Sequence, residues 1–141
     1  MSKPVFVLDS FALLAYLNDE TGRSRVQEAL ALAARGDCRV LLCMINLGEV
    51  LYMTERQRGL NNARRVLSLV ENLPLELVEA ERDLVMDAAH IKANYPISYA
   101  DAFVTALCQR ENAIVLTGDP EFAAVERLIT VEWLVKLTKG D

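Results

Sequence analysis

Val5-Phe6-Val7-Leu8-Asp9-Ser10-Phe11-Ala12-Leu13-Leu14-Ala15-Tyr16-Leu17 carries the pattern on which the whole chain is built. Four consecutive apolar residues stop at an acid, and Phe11 to Leu17 then continue as a helix. A short unbroken apolar run suits a strand buried on both faces, as in a parallel sheet covered by helices. The same grammar recurs along the chain. Val40-Leu41-Leu42-Cys43-Met44 leads into Asn46-Leu47-Gly48-Glu49 and a helical pattern, and a third run near 75–78 follows the Asn72-Leu73-Pro74 break. Ala113-Ile114-Val115-Leu116 ends at Thr117-Gly118-Asp119-Pro120, and a fifth run lies around 130–133. Helices are expected at 22–35, 47–58, 60–72, 81–94 and 99–111. Strands alternating with helices imply an α/β fold, a three-layer α/β/α sandwich around a central parallel sheet of about five strands. Ligands of such sheets bind beyond the carboxyl ends of the strands, where the strand order reverses.

The composition narrows the function. At 141 residues with no repeat, no Gly/Ser linker and no change of composition, residues 1–141 read as a single domain. Hydrophobic residues at 52% and charged residues at 25% exclude a disordered chain. A net charge of −5 and a pI near 4.9 argue against coating nucleic acid by bulk attraction, so a polyanion must be met by a local basic face or a bound metal. Cys38, Cys43 and Cys108 show no C-x-x-C spacing and are expected to be reduced thiols of a cytoplasmic protein. Asp9 interrupts the apolar stretch that a signal peptide would need after Lys3, and no run of apolar residues is long enough to span a membrane.

Four acids stand where the fold would gather them. Asp9 and Asp119 follow strands directly, and Glu49 and Asp101 are expected in the first turns of helices. Each has an ordinary explanation alone: Asn46-x-x-Glu49 and Ser98-x-x-Asp101 resemble capping boxes, and Asp119-Pro120 is a good helix start. Gathered at one edge they would repel one another unless a cation neutralised them. An all-oxygen cluster suits Mg²⁺ or Mn²⁺. Zinc is disfavoured, because His90 is the only histidine and sits within a helical stretch. The same scarcity removes Ser-His-Asp and Cys-His mechanisms, and no phosphate-binding glycine loop is present.

Four motifs carry a family likeness: V-F-V-L-D-S at 5–10, I-N-L-G-E-V at 45–50, S-Y-A-D-A-F at 98–103 and T-G-D-P-E-F at 117–122. In order and spacing they resemble the PIN domain, and within it the VapC-type toxins of bacterial and archaeal toxin–antitoxin systems. The resemblance implies that Asp9, Glu49, Asp101 and Asp119 are the catalytic acidic metal ligands, Asp9 and Asp101 most directly. Ser10, Asn46 and Thr117 match supporting polar positions. It implies an endoribonuclease using Mg²⁺ or Mn²⁺, a homodimer, and a cognate antitoxin whose segment fills a groove near the site. Phe11, Leu14, Tyr16 and Leu17 are candidates for the lining of that groove, or plain core.

A carboxylate-bound metal would activate water for in-line attack at phosphorus, leaving a 5′-phosphate and a 3′-hydroxyl. Arg56, Arg58, Arg64 and Arg65 surround the Gly59-Leu60-Asn61-Asn62 break and are candidate substrate-binding residues, with Arg23 and Arg25 opening another helix. The RNA would be tRNA or another structured RNA with unpaired bases. Two readings compete: a catalytically inactive RNA- or protein-binding module, and a receiver-like phosphoacceptor. The latter wants a lysine after a late strand, and Lys136 and Lys139 fall too near the end.

Overall fold

The computed structural model describes residues 2–135, so Lys136 and Lys139 lie outside the described residues. Five strands form one sheet: β1 (Val5–Leu8), β2 (Arg39–Cys43), β3 (Glu76–Val78), β4 (Ile114–Thr117) and β5 (Thr130–Trp133). Every pairing is parallel and the order is β3-β2-β1-β4-β5. The helices are α1 (Ser10–Leu17), α2 (Arg23–Ala34), α3 (Met44–Arg58), α4 (Leu60–Glu71), α5 (Arg82–Asn94) and α6 (Tyr99–Glu111), with a short 3₁₀ helix at Pro120–Val125. The α/β sandwich expected from the sequence is the fold observed.

Alternate strand residues face opposite layers, as the two-residue repeat of a strand demands. Val7, Leu41, Cys43 and Val115 pack with Leu84 and Ala88 of α5, Phe103 and Leu107 of α6, and Phe122 of the 3₁₀ helix. Phe6, Leu8, Val40, Leu42 and Leu116 pack with Leu13 of α1, Val26 and Leu30 of α2, Leu47 and Val50 of α3, and Val70 of α4. Both faces being covered explains why the strands read as unbroken apolar runs. The three cysteines are buried free thiols. Among the described residues no helix is long and apolar enough to cross a membrane.

The chain lays down β1, β2 and β3 in one direction, then returns to place β4 and β5 on the other side of β1. The order reverses between β1 and β4, and the crevice of such a sheet opens above the carboxyl ends of these two strands. Asp9 follows β1 immediately, and Asp119 comes two residues after Thr117, the last of β4.

One expected boundary is corrected. The helix placed at 47–58 begins at Met44, directly after Cys43 with no intervening loop. Met44 packs into the core beside β2, so its apolar character extended the apparent strand. Asn46 is therefore inside α3 and caps nothing, and Glu49 stands in the second turn, not the first.

Gly118 forms the tight passage from β4 to Asp119. A Cβ there would lie 2.4 Å from two atoms of the Phe11 ring at the start of α1. Gly118→Ala is expected to destabilise the fold by about 1–3 kcal/mol, the usual cost of overpacking. Urea unfolding measures this, and the cost should shrink in the Phe11→Ala background, which removes the obstructing ring.

Candidate metal centre

The site is built on the hydrogen bonds that close the β1–β4 edge. Asp9 is 1% exposed and caps α1. Its Oδ1 accepts from the Ala12 N–H at 2.8 Å, and its Oδ2 accepts from the Thr117 hydroxyl. The Thr117 oxygen in turn accepts from the Asp119 N–H at 2.9 Å. Asp119, half-buried, caps the 3₁₀ helix, its Oδ1 accepting from the Glu121 N–H at 2.9 Å. Capping occupies one oxygen of each carboxylate: the other accepts from Thr117 in Asp9 and has no hydrogen bond among the described residues in Asp119.

Asp101 arrives from the other layer. Ser98 caps α6, accepting from the Asp101 N–H at 3.1 Å, and every residue from Asp101 to Cys108 is buried. That burial anchors the helix and leaves Asp101 at 5% exposure. Glu121, on the exposed side, accepts from the Ser98 N–H at 2.7 Å. Carboxylate oxygens of Asp101, Asp119 and Glu121 all lie within 4.8 Å of one another, close enough to share one ion. The sequence reading missed Glu121, although it stands inside the T-G-D-P-E-F motif two residues after Asp119.

Asp9 and Glu49 stand outside that group of three. Asp9 adjoins it, for its charge bears on Asp101 and that of Asp119 bears on Asp9. Glu49, half-buried, is linked through Ser10, whose hydroxyl donates to its Oε1 at 2.5 Å. Asn46 is fully buried; its Nδ2 donates to the Ala100 carbonyl at 3.5 Å, joining α3 to the residue before Asp101. Its Oδ1 has no hydrogen-bond partner among the described residues. A buried orphan acceptor of this kind wants a water or an ion nearby.

The acids are held against their preference for charge. Burial pushes Asp9 up to about 7, the donors Thr117 and Ala12 pull it down, and the charge of Asp119 raises it further. Burial likewise pushes Asp101 up to about 7, reinforced by the charges of Asp119, Asp9 and Glu121. Both carboxylates are therefore harder to ionise than ordinary acids, and a nearby positive charge would favour their ionised form.

Most of the arginines fall into two sets; Arg127, outside both, is exposed and has no carboxylate partner among the described residues. Arg23, Arg25, Arg35, Arg39, Arg82 and Arg110 all pair with carboxylates. Arg23 also stacks on Tyr16 and Arg25 on Phe6, so neither projects as a free phosphate contact. Arg56, Arg58, Arg64 and Arg65 are exposed on α3 and α4 and have no carboxylate partner among the described residues. Between α1, α3 and α4 runs a groove of about 380 Å³, walled by Leu14, Leu17, Met53 and Leu69 with Arg58 and Arg65 among its lining. Tyr16 and Phe11 do not line it: Tyr16 carries Arg23, and Phe11 lies over Gly118.

The sequence model described as PIN domain matches residues 6–128, and the chain belongs to the PIN domain family. Among curated protein sequences none matches. Solved structures share the fold. The DNA-bound VapBC of Salmonella typhimurium superposes with a TM-score of 0.72 at 19% identity, covering 96% of this chain and 100% of that one. VapBC2 of Rickettsia felis, bound to a fragment of its promoter, gives 0.70 at 15% identity, with 91% and 97% covered. VapC20 of Mycobacterium tuberculosis, a sarcin-ricin loop cleaving toxin, gives 0.66 at 18% identity, with 86% and 94% covered.

The raised acids set the pH dependence of folding. Each ordinarily titrates near 3.8 and in the folded chain near 7, so between these values the native state holds protons that the unfolded chain has released. Stability must therefore fall as pH rises through that window. In a chelating buffer the melting temperature should drop from about pH 5 to about pH 8, and Asp101→Asn should flatten the slope. Thermal melts across that range check both.

Proposed function

We propose that the chain is a metal-dependent endoribonuclease and the toxin of a VapBC-type toxin–antitoxin pair. The observation that carries this reading is the gathering of Asp101, Asp119 and Glu121 at the β1–β4 crevice of a PIN domain, with Asp9 adjoining them and Glu49 tied to Ser10. The donor set fits Mg²⁺ or Mn²⁺: it is all oxygen, several of its members are buried, and Asn46 adds an unpartnered acceptor. It does not fit zinc, since the three thiols are buried elsewhere and His90 is exposed on α5.

In this reading Asp9 and Asp101 hold the ion most directly and Asp119 and Glu49 complete the set, with Glu121 as an additional ligand. A bound Mg²⁺ or Mn²⁺ supplies a water that is nucleophilic near neutral pH and offsets charge developing on the phosphate. The protein's part is orientation. Thr117 and the Ala12 N–H fix both oxygens of Asp9, Ser10 holds Glu49 Oε1, and Glu49 Oε2 is left to take a proton from the attacking water. Water attack leaves a 5′-phosphate and a 3′-hydroxyl on the products. Arg56, Arg58, Arg64 and Arg65 supply phosphate contacts on a chain that is otherwise acidic.

The likeness to VapC20, a sarcin-ricin loop cleaving toxin, supports an unpaired segment of a structured RNA such as tRNA as the substrate. The groove beside α1 is the seat for a segment of the cognate antitoxin, Leu14 and Leu17 being its apolar floor. A homodimer in the cytoplasm is the expected working form.

Asp9→Asn and Asp101→Asn should each lower RNA cleavage by about a hundredfold or more, and EDTA should abolish it until Mg²⁺ or Mn²⁺ is restored. Thr117→Val, which frees one oxygen of Asp9, should cost about 10–100-fold, the usual effect of removing a group that orients a ligand. Sequencing the 5′ ends of cleaved total RNA gives the readout. Undiminished cleavage in EDTA would refute the metal, and a pure protein that binds RNA without cutting it would mark an inactive binding module.

A further inference from the structure

One face of α3 beside Glu49 carries partly exposed side chains. Ile45, Gly48, Tyr52 and Arg56 fall at i, i+3, i+7 and i+11, a single stripe of a helix. Ile45 is 36% exposed, Tyr52 is 48% exposed, and Gly48 and Arg56 are exposed as well. Glu49 is next to Gly48 and one turn before Tyr52, so the stripe begins at the candidate metal centre. The Arg56 guanidinium lies 4.9 Å from the centre of the Tyr52 ring, and a hollow of about 220 Å³ is lined by Tyr52, Glu55 and Arg56.

Gly48 supplies a second, independent observation. Glycine is the poorest residue for a helix interior apart from proline. A Cβ at this position would meet nothing within 4 Å, so no contact inside the chain requires its absence. What the missing side chain leaves is open space on the stripe between Ile45 and Tyr52, next to Glu49 in the helix.

Charge indicates what enters. Four of the five exposed arginines without carboxylate partners among the described residues, at 56, 58, 64 and 65, belong to α3 and α4, on a chain of net charge −5, and the fifth is Arg127. A second copy of the chain docked here about a twofold axis would bring the same arginines face to face. A polyanion meets them with opposite sign.

We propose that Tyr52 and Arg56 form a stacking platform for one unpaired RNA base, with Gly48 leaving room for the nucleotide between that platform and the acids. The proposal rests on the ribonuclease reading and names how its substrate is held. Aromatic rings and guanidinium planes both stack on the π-face that every base presents, with no hydrogen bond to a base edge. Such a platform accepts splayed, single-stranded bases and rejects bases already stacked in a duplex. It selects RNA by shape more than by sequence.

The experiment uses an RNA hairpin with one 2-aminopurine in its unpaired loop, bound to the protein in chelating buffer so that nothing is cut. Fluorescence quenching reports stacking, and anisotropy reports affinity. Tyr52→Ala should lose the quenching and weaken binding by at least about fivefold, the size of one lost base stack, while Tyr52→Trp retains both. Gly48→Leu, which improves the helix and grows into open space, should melt no lower than wild type yet bind as poorly as Tyr52→Ala. With Mg²⁺ present, Tyr52→Ala should raise KM and leave kcat near wild type, whereas Asp101→Asn lowers kcat. Unchanged quenching and affinity in Tyr52→Ala would overturn the platform. So would a switch from dimer to monomer by sedimentation with RNA binding intact, which would assign the face to a second copy. Wild-type protein that stacks the probe but never cuts RNA would instead refute the nuclease reading and leave the platform standing.

Discussion

The hydrogen bond from the Thr117 hydroxyl to Asp9 Oδ2 ties the carboxyl ends of β1 and β4, and the rest of the site depends on it. It exists because the strand order reverses between these two strands, leaving an edge with no crossover helix between them. The same hydroxyl accepts from the Asp119 N–H, so one side chain sets the spacing of two acids that would otherwise repel. Gly118 permits the passage, with the Phe11 ring lying where any side chain would have to go. Burial and the charge of Asp119 raise Asp9, and its two hydrogen-bond donors lower it. The balance leaves a carboxylate near 7, poorly satisfied by the protein alone and well satisfied by a divalent cation.

Around this fixed edge the acids differ in how firmly they are held. Asp101 is carried by a helix buried from Asp101 to Cys108 and joined to α3 through Asn46 and the Ala100 carbonyl. Asp9 and Asp101 are thus rigid. Asp119, Glu121 and Glu49 stand on the solvent side, each with a single tethered oxygen. A rigid buried pair with adjustable outer carboxylates suits an ion that keeps open positions for water and substrate, as Mg²⁺ does.

Much of this was legible in the sequence, for physical reasons. Strands covered on both faces must be apolar throughout, so β1, β2 and β4 announced themselves as unbroken runs. A polar residue at the end of such a run must lie at the sheet edge, which placed Asp9 and Asp119. What periodicity cannot see is where a helix begins without a loop. Met44 continued the apolar run of β2 while already turning into α3, so Asn46 looked like a cap and Glu49 like a first-turn residue. Glu121 was hidden for another reason: an exposed acid after Asp119-Pro120 is ordinary at a helix start, and only the fold brings it to Asp101. The internal pairing of Arg23 and Arg25, against the unpaired arginines of α3 and α4, depends on contacts far apart in sequence, such as Arg25 with Glu132.

In the proposed reading the β1–β4 edge gathers its acids to hold a divalent cation. Crystals soaked in Mn²⁺ and measured for anomalous scattering test this without any assay of activity. A peak at coordination distance, about 2 Å, from carboxylate oxygens of Asp9 and Asp101, with Asp119 beside it, is the expected result, and the Asp101→Asn crystal should lose it. An edge empty of Mn²⁺ in the wild type, or a peak held only by exposed acids away from Asp9 and Asp101, would contradict the claim.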